Sequence, residues 1–177
     1  MNKKRIAIDM DDVMTDAIGR FIELYQQEFQ EDLSDLRLPG RNLTNTVPPE
    51  RLEAIKQYPH QPNFFKDLEP IAGSLEVVEQ LHQRYEIFIT TAALEFEHSF
   101  TPKYNWLKKH LPFITWKNIV FCGDKSIIRA DYLLDDLDRN LKTFTGTGLL
   151  FTAPHNAHVT GYTRLNNWQE VAAYFLH

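Results

Sequence analysis

The sequence predicts an α/β fold, a mostly parallel sheet with helices packed on it. One observation is a series of short apolar runs with little polar alternation, as expected of strands covered on both faces. A second is that amphipathic stretches of helical period separate those runs. A third is a proline- and glycine-bearing region between the first and second runs, which breaks the alternation and reads as an insert.

The elements follow in order. Arg5-Ile6-Ala7-Ile8-Asp9 is the first strand. Ile18, Phe21, Ile22, Tyr25 and Phe29 then recur at helical spacing. From about residue 30 to 72 come Pro39, Gly40, Pro48, Pro49, Pro59, Pro62 and Pro70, with no strand signal. A structureless loop of that length is improbable in a compact domain, so the expectation is a small helical insert over the first strand's end. Leu75, Val78, Leu81 and Tyr85 form the next helical face, and Glu86-Ile87-Phe88-Ile89-Thr90 the next strand. Tyr104, Leu107 and Leu111 mark a further helix. Strands are then expected at Asn118–Phe121, Tyr132–Asp135 and Gly148–Thr152, and a closing helix buries Trp168, Val171, Ala172 and Phe175.

At 177 residues the chain is one domain with room for a small insert. Nineteen Lys and Arg against 24 Asp and Glu leave a net charge of −5, and no basic stretch suited to a nucleic-acid duplex. The single cysteine, Cys122, excludes an internal disulfide and fits a reducing compartment. Met1-Asn2-Lys3-Lys4-Arg5 begins like a secretion signal, but Asp9, Asp11 and Asp12 interrupt the apolar run at once. No run reaches the roughly 18 apolar residues of a membrane helix. A cytoplasmic protein, not associated with a membrane, is expected.

Four polar clusters stand at the carboxyl ends of four expected strands: Asp9-Met10-Asp11-Asp12, Thr90-Thr91, Gly123-Asp124-Lys125 and Asp135-Asp136. Taken singly, each has an ordinary explanation. Asp after a strand is a common turn or helix-cap residue, and most lysines are solvated. Together they matter more, because the crevice beyond the carboxyl strand ends is where open parallel sheets bind ligands. Converging carboxylates repel one another in a low-dielectric site, a penalty that a divalent cation removes. Hard Mg²⁺ prefers carboxylates, carbonyls and water. Magnesium in turn suggests phosphate chemistry, with lysine and threonine orienting the phosphoryl oxygens. Asp9 and Asp11 are two apart, so in extended chain they point the same way. One can attack phosphorus while the other reaches the leaving oxygen.

These residues resemble a haloacid dehalogenase (HAD) superfamily phosphatase, and more narrowly the 5′(3′)-deoxyribonucleotidase family. The first motif is Ile8-Asp9-Met10-Asp11-Asp12-Val13-Met14-Thr15-Asp16, the second Ile87-Phe88-Ile89-Thr90-Thr91. The third centres on Asp124-Lys125-Ser126-Ile127-Ile128 and the fourth on Leu133-Leu134-Asp135-Asp136, with Lys125 ten residues before Asp135 as in the family. The segments Phe64–Gly73, Lys103–Leu107, Leu150–Asn156 and Asn167–Val171 also have counterparts, so the resemblance spans nearly the whole chain.

The resemblance implies a Rossmann-like core formed by residues 1–14 and 73–177, with a small helical cap at 15–72. It implies a Mg²⁺-dependent phosphomonoesterase acting on deoxyribonucleoside monophosphates. Carried over by position, Asp9 is the nucleophile that forms an aspartyl-phosphate, and Asp11 protonates the departing oxygen and then activates water. Mg²⁺ is held by the Asp9 carboxylate, the Asp11 main-chain carbonyl and Asp136. Thr90 and Lys125 bind the phosphoryl group, with Thr91 and Asp135 in support. Dimers are the commonest soluble assembly and family members often pair, so a homodimer is a possible form.

The chain also departs from the family. Asp12 replaces the glycine of the first motif, in a place where Asp tolerates a left-handed backbone better than most residues. Ala17 stands where characterised members carry an aromatic of the nucleoside pocket, and Arg41–Thr46 offers no counterpart to their cap tryptophans. Phe64 and Phe65 are the remaining candidates for contacting a base. The missing aromatics keep open a phosphatase for another small phosphate such as a sugar phosphate; a non-catalytic binding protein on the same fold is a second alternative, against which the intact set Asp9, Asp11, Thr90, Lys125 and Asp136 argues. Transfer to an acceptor other than water is a third.

Other features carry less. His155 and His158 with one cysteine make too few ligands for structural zinc, and are read as capping a loop or lining the pocket rim. Gly146-Thr147-Gly148 fits neither a P-loop nor a dinucleotide fingerprint. Cys122 is read as a buried inert thiol, and Tyr104 and Trp106 as core packing.

Overall fold

The computed structural model describes residues 3–177; Met1 and Asn2, the start of the basic leader, lie outside them. Six strands form one parallel sheet: β1 (Arg5–Asp9), β2 (Glu86–Thr91), β3 (Ile119–Phe121), β4 (Tyr132–Asp135), β5 (Thr147–Phe151) and β6 (Thr163–Leu165), in spatial order β3-β2-β1-β4-β5-β6. The order reverses beside β1, which lies between β2 and β4, so the crevice for a ligand opens at the carboxyl end of β1.

Side chains alternate across this sheet. Ile6, Ile8, Ile87, Ile89, Leu134 and Leu149 pack on one face with α4 (Ser74–Arg84), α5 (Phe100–His110) and α7 (Trp168–Leu176), labels that leave α1–α3 for the insert. Ala7, Leu133 and Leu150 face the other way, against Leu141 of α6 (Asp138–Thr143) and Phe144. Asn167 caps α7 by accepting from Glu170 N at 2.9 Å. The buried face of α5 is Lys103, Trp106 and Leu107. Tyr104, expected in the core, is 36% exposed because the helix is turned to bring Lys103 inward.

The insert holds α1 (Ala17–Phe29), α2 (Leu43–Thr46) and α3 (Pro49–Lys56) with short 3₁₀ turns between them. Asp16 caps α1, its Oδ1 accepting from Gly19 N at 2.8 Å, and is itself gripped by both Nη atoms of Arg37. Asn42 and Asn45 cap α2 reciprocally, and proline opens α3, where a missing N–H costs nothing. Tyr25, Leu36, Val47, Ile55, Tyr58, Phe64, Phe65 and Leu68 make an apolar cluster that shares no residue with the two sheet cores.

The chain leaves for this layer and returns from it side by side. Asp16 N donates to Glu69 O at 2.9 Å, Ile71 N donates to Met14 O at 2.8 Å, and Thr15 bridges Pro70. Among the described residues, no helix is long and apolar enough to cross a membrane.

Candidate active site

β1 and β4 run in register, Ile8 beside Leu134, so their next residues, Asp9 and Asp135, end neighbouring strands together. Lys125 enters from the short 3₁₀ turn Lys125–Ile127 after β3. Its buried Nζ lies 2.5 Å from Asp9 Oδ1 and 2.6 Å from Asp135 Oδ2. Burial works against the Lys125 ammonium, but Asp9 and Asp135 outweigh it and its pKa rises. Burial pushes the Asp9 carboxyl up to about 6, against the opposing pull of Lys125. The neighbouring Asp124 faces solvent, where its Oδ1 accepts from Ser126 N and shapes the turn.

Asp135 and Asp136 are adjacent but differently engaged. Asp135 accepts from Lys125, Leu137 N and Asn140 Nδ2. Asp136 is raised by burial, contacts His155 Nε2 through Oδ2 at 3.2 Å, and leaves its buried Oδ1 without a partner. One carboxylate oxygen each of Asp9, Asp135 and Asp136 lies within 4.8 Å of the others. An orphaned buried carboxylate oxygen beside further carboxylates is a hard-oxygen donor set, which fits Mg²⁺. Among the described residues no histidine joins that set, and His158 is exposed.

Asp11 lies on the other side of Asp9 in the chain. Its Oδ2 is 2.5 Å from Nζ of Lys103, which is 1% exposed, and that Nζ also donates to Thr91 Oγ1 at 2.9 Å. The ammonium sits 4.4 Å from the centre of the Phe65 ring. Lys103 belongs to none of the four motifs; the sequence marks it only as the first residue of the Lys103–Leu107 segment that resembles the family.

The two threonines separate by strand alternation. Thr91 follows Ile89 on the face where α5 packs and so meets Lys103. Thr90 points to the opposite face, and its hydroxyl donates within the sheet to Ile8 O at 3.4 Å. Thr91 reaches the Asp11 carboxylate only through Lys103; the hydroxyl that meets that carboxylate directly is Thr15, which donates to Asp11 Oδ1 at 3.4 Å.

Beside these groups lies a cavity of about 190 Å³, whose wall includes Asp9, Asp11, Lys103, Lys125, Asp136 and His155, as well as Phe96 and Arg139; Thr90, Thr91 and Asp135 are fully buried behind it. Phe64 and Phe65, expected at the substrate, are absent from that wall. They are 2% and 3% exposed, with their rings packed on each other at 4.8 Å and Phe64 on Phe21 at 4.9 Å. Ala17 is buried in the same cluster. Asp12 does adopt the backbone that glycine would, with φ of 55°, and its Oδ1 accepts from Ile18 N at 3.0 Å. Cys122 is half-buried beside the site, and burial raises its thiol. Gly146 is glycine because a Cβ there would lie 2.7 Å from the carbonyl oxygens of Ala130 and Asp131, a packing reason unrelated to phosphate.

A parallel sheet with acidic residues at its carboxyl crevice and a helical layer after the first strand is the architecture of haloacid dehalogenase-like hydrolases. The structure overlays on such a hydrolase from Streptococcus pneumoniae with a TM-score of 0.63 at 13% identity, covering 98% of each chain. It also matches a magnesium-bound HAD-hydrolase structure from Bacillus subtilis, at 0.60 and 12% over 99% of each.

Within that class, residues 3–176 match the family described as 5′ nucleotidase, deoxy (pyrimidine), cytosolic type C protein, and the chain belongs to this family. A Staphylococcus aureus (strain Mu50) relative is 39% identical over 176 residues, covering 99% of this chain and 97% of its own. A Bacillus subtilis relative named 5′(3′)-deoxyribonucleotidase is 36% identical over 173 residues, covering 96% of each.

Proposed function

We propose that the protein is a Mg²⁺-dependent phosphomonoesterase that removes phosphate from deoxyribonucleoside monophosphates through an aspartyl-phosphate on Asp9. The observation that carries this is Asp9 itself: a buried carboxylate at the sheet's switch point, held by Lys125 Nζ at 2.5 Å and facing the same cavity as Asp11.

In the first step an Asp9 oxygen attacks phosphorus, the bond from phosphorus to the nucleoside oxygen breaks, and Asp11 gives that oxygen its proton. In the second step Asp11 takes a proton from water, the water oxygen attacks phosphorus, and the acyl-phosphate bond breaks to free phosphate and Asp9. Lys103, itself held by Thr91, keeps the Asp11 carboxyl in place, and Lys103 and Lys125 offset charge on the phosphoryl oxygens. The Asp9 carboxylate, the Asp11 carbonyl and Asp136 would hold Mg²⁺, which supplies charge neutralisation at those oxygens when bound. Residues 15–72 act as the cap that excludes water from this step.

A second reading, a phosphatase for a sugar phosphate, is favoured by the burial of Phe64 and Phe65 and by Ala17. The test is phosphate release from nucleoside 5′- and 3′-monophosphates and from sugar phosphates, with Mg²⁺ or EDTA, beside Asp9→Asn. Metal-dependent release favouring deoxynucleotides, lost in the variant, is the expected result. Release from sugar phosphates alone would select the second reading, and no release would end both. Borohydride trapping of an acyl-phosphate on Asp9, located by mass spectrometry, tests the intermediate.

A further inference from the structure

We infer that Phe96, a residue of the core, is the platform on which the base of the substrate stacks; this rests on the nucleotidase reading above. Phe96 is the one phenyl or indole ring that lines the 190 Å³ cavity around Asp9 and Asp11 among the described residues. It follows the 3₁₀ turn Ala93–Glu95 after β2, the strand that ends in Thr91, so the same short segment carries both ring and hydroxyl.

Its setting is that of a supported surface. One side packs on Phe65 at 5.5 Å with a 34° tilt, and the His60 ring meets it nearly edge-on at 5.2 Å and 78°. Phe96 itself stays half-buried and lines the cavity. Phe64 and Phe65 have no such free surface, so they act as its backing rather than as the contact. The cavity wall also carries Glu95 and Arg139, both exposed, and neither makes an ion pair among the described residues. A ring with a π-face against Phe96 and polar edges near a free guanidinium and carboxylate has the chemistry of a nucleobase; a sugar phosphate offers no such face. In this chain the aromatic surface for the base is thus supplied from the core side of the crevice.

The experiment compares Phe96→Ala, Phe96→Leu and Phe96→Tyr with the parent protein on two phosphate esters. One is deoxyuridine 5′-monophosphate; the other is 2-deoxyribose 5-phosphate, which presents the same ester without a base. Base–aromatic stacking is worth enough that Phe96→Ala should lower kcat/KM on the nucleotide roughly 5- to 100-fold, mainly through KM. Phe96→Leu should fall nearly as far, since it keeps apolar volume but not the π-face, and Phe96→Tyr should stay within about threefold. The base-free ester should change less than about twofold in all three, which also shows that the site is intact. An equal fall on both esters, or none on the nucleotide, overturns the assignment. A parent protein that releases phosphate from no nucleotide overturns instead the reading on which it rests.

Discussion

Lys103 Nζ lies 2.5 Å from Asp11 Oδ2 across 92 residues of sequence, and its donation to Thr91 makes it the link between the first strand's loop and the end of β2. A lysine 1% exposed is costly to bury unless it is paired, and here its partners are the acid–base candidate and a hydroxyl. Replacing it with Met keeps the stem and removes the charge. Lys103→Met should lower kcat on the nucleotide roughly 100-fold, the cost of a misplaced reacting group, and Lys103→Arg should recover part of it. A change confined to KM would show that Lys103 binds without positioning Asp11.

The adjacent threonines give a paired test. Thr91→Val removes a hydroxyl that accepts from Lys103 at 2.9 Å, whereas Thr90→Val removes one that donates within the sheet at 3.4 Å. Steady-state assays should show a loss of about 10-fold or more for Thr91→Val, the worth of one hydrogen bond to the charged group that positions Asp11. Thr90→Val should stay near the parent rate. The reverse order would return the role to Thr90.

Asp9 makes a prediction about stability and pH. Its carboxyl is raised by burial from 3.8 to about 6, so between those values the folded, metal-free protein holds a proton that the unfolded chain has released. The stability that this proton confers is present below about pH 4 and is lost as pH rises through about 6. Asp9→Asn removes the cost of the buried charge. The difference in Tm between Asp9→Asn and the parent, measured in EDTA, should therefore move in the variant's favour from pH 4.5 to pH 7. A flat difference would mean that Lys125 neutralises Asp9 completely.

Asp135 and Asp136 should separate into fold and metal. Asp136→Asn alters the carboxylate whose Oδ1 has no partner, and should abolish the rise in Tm that saturating Mg²⁺ gives the parent. Asp135→Ala strips Lys125 of a fully buried partner at 2.6 Å and should cost about 3 kcal/mol in urea unfolding without added metal. Loss of the Mg²⁺ effect in Asp135→Ala with retention in Asp136→Asn would exchange the two roles.

How much of this was legible depends on the length of the signal. β1 to β5 are apolar runs, readable to within a residue or two. β6 has three residues, Thr163-Arg164-Leu165, and no run to read; α6 has six, too few to establish a period. Asp9, Asp11, Lys125 and the Asp135-Asp136 pair were readable because motif order along the chain maps directly onto strand ends. Lys103 was not, because a lysine on a helix is ordinarily solvated, and only the packing of α5 against β2 turns it inward. Thr90 and Thr91 take different roles from the resemblance alone, since one step along a strand reverses the face and the sequence does not say which face α5 covers. Phe64 and Phe65 lie where the layers meet, as read, but their rings turn into the insert's own cluster.

The paired crossings at Asp16–Glu69 and Met14–Ile71 bring residues more than fifty positions apart to the spacing of neighbouring strands, about 5 Å. Were the intervening helices removed, a two-residue turn could join the cut ends and leave the path of the sheet unchanged. The inserted layer is in that sense separable: its two ends are held together by their own hydrogen bonds, while the carboxylates below keep their positions on the sheet. Ala17 and the Arg41–Thr46 stretch, two of the places where the chain departs from the pattern it resembles, both lie inside that separable piece.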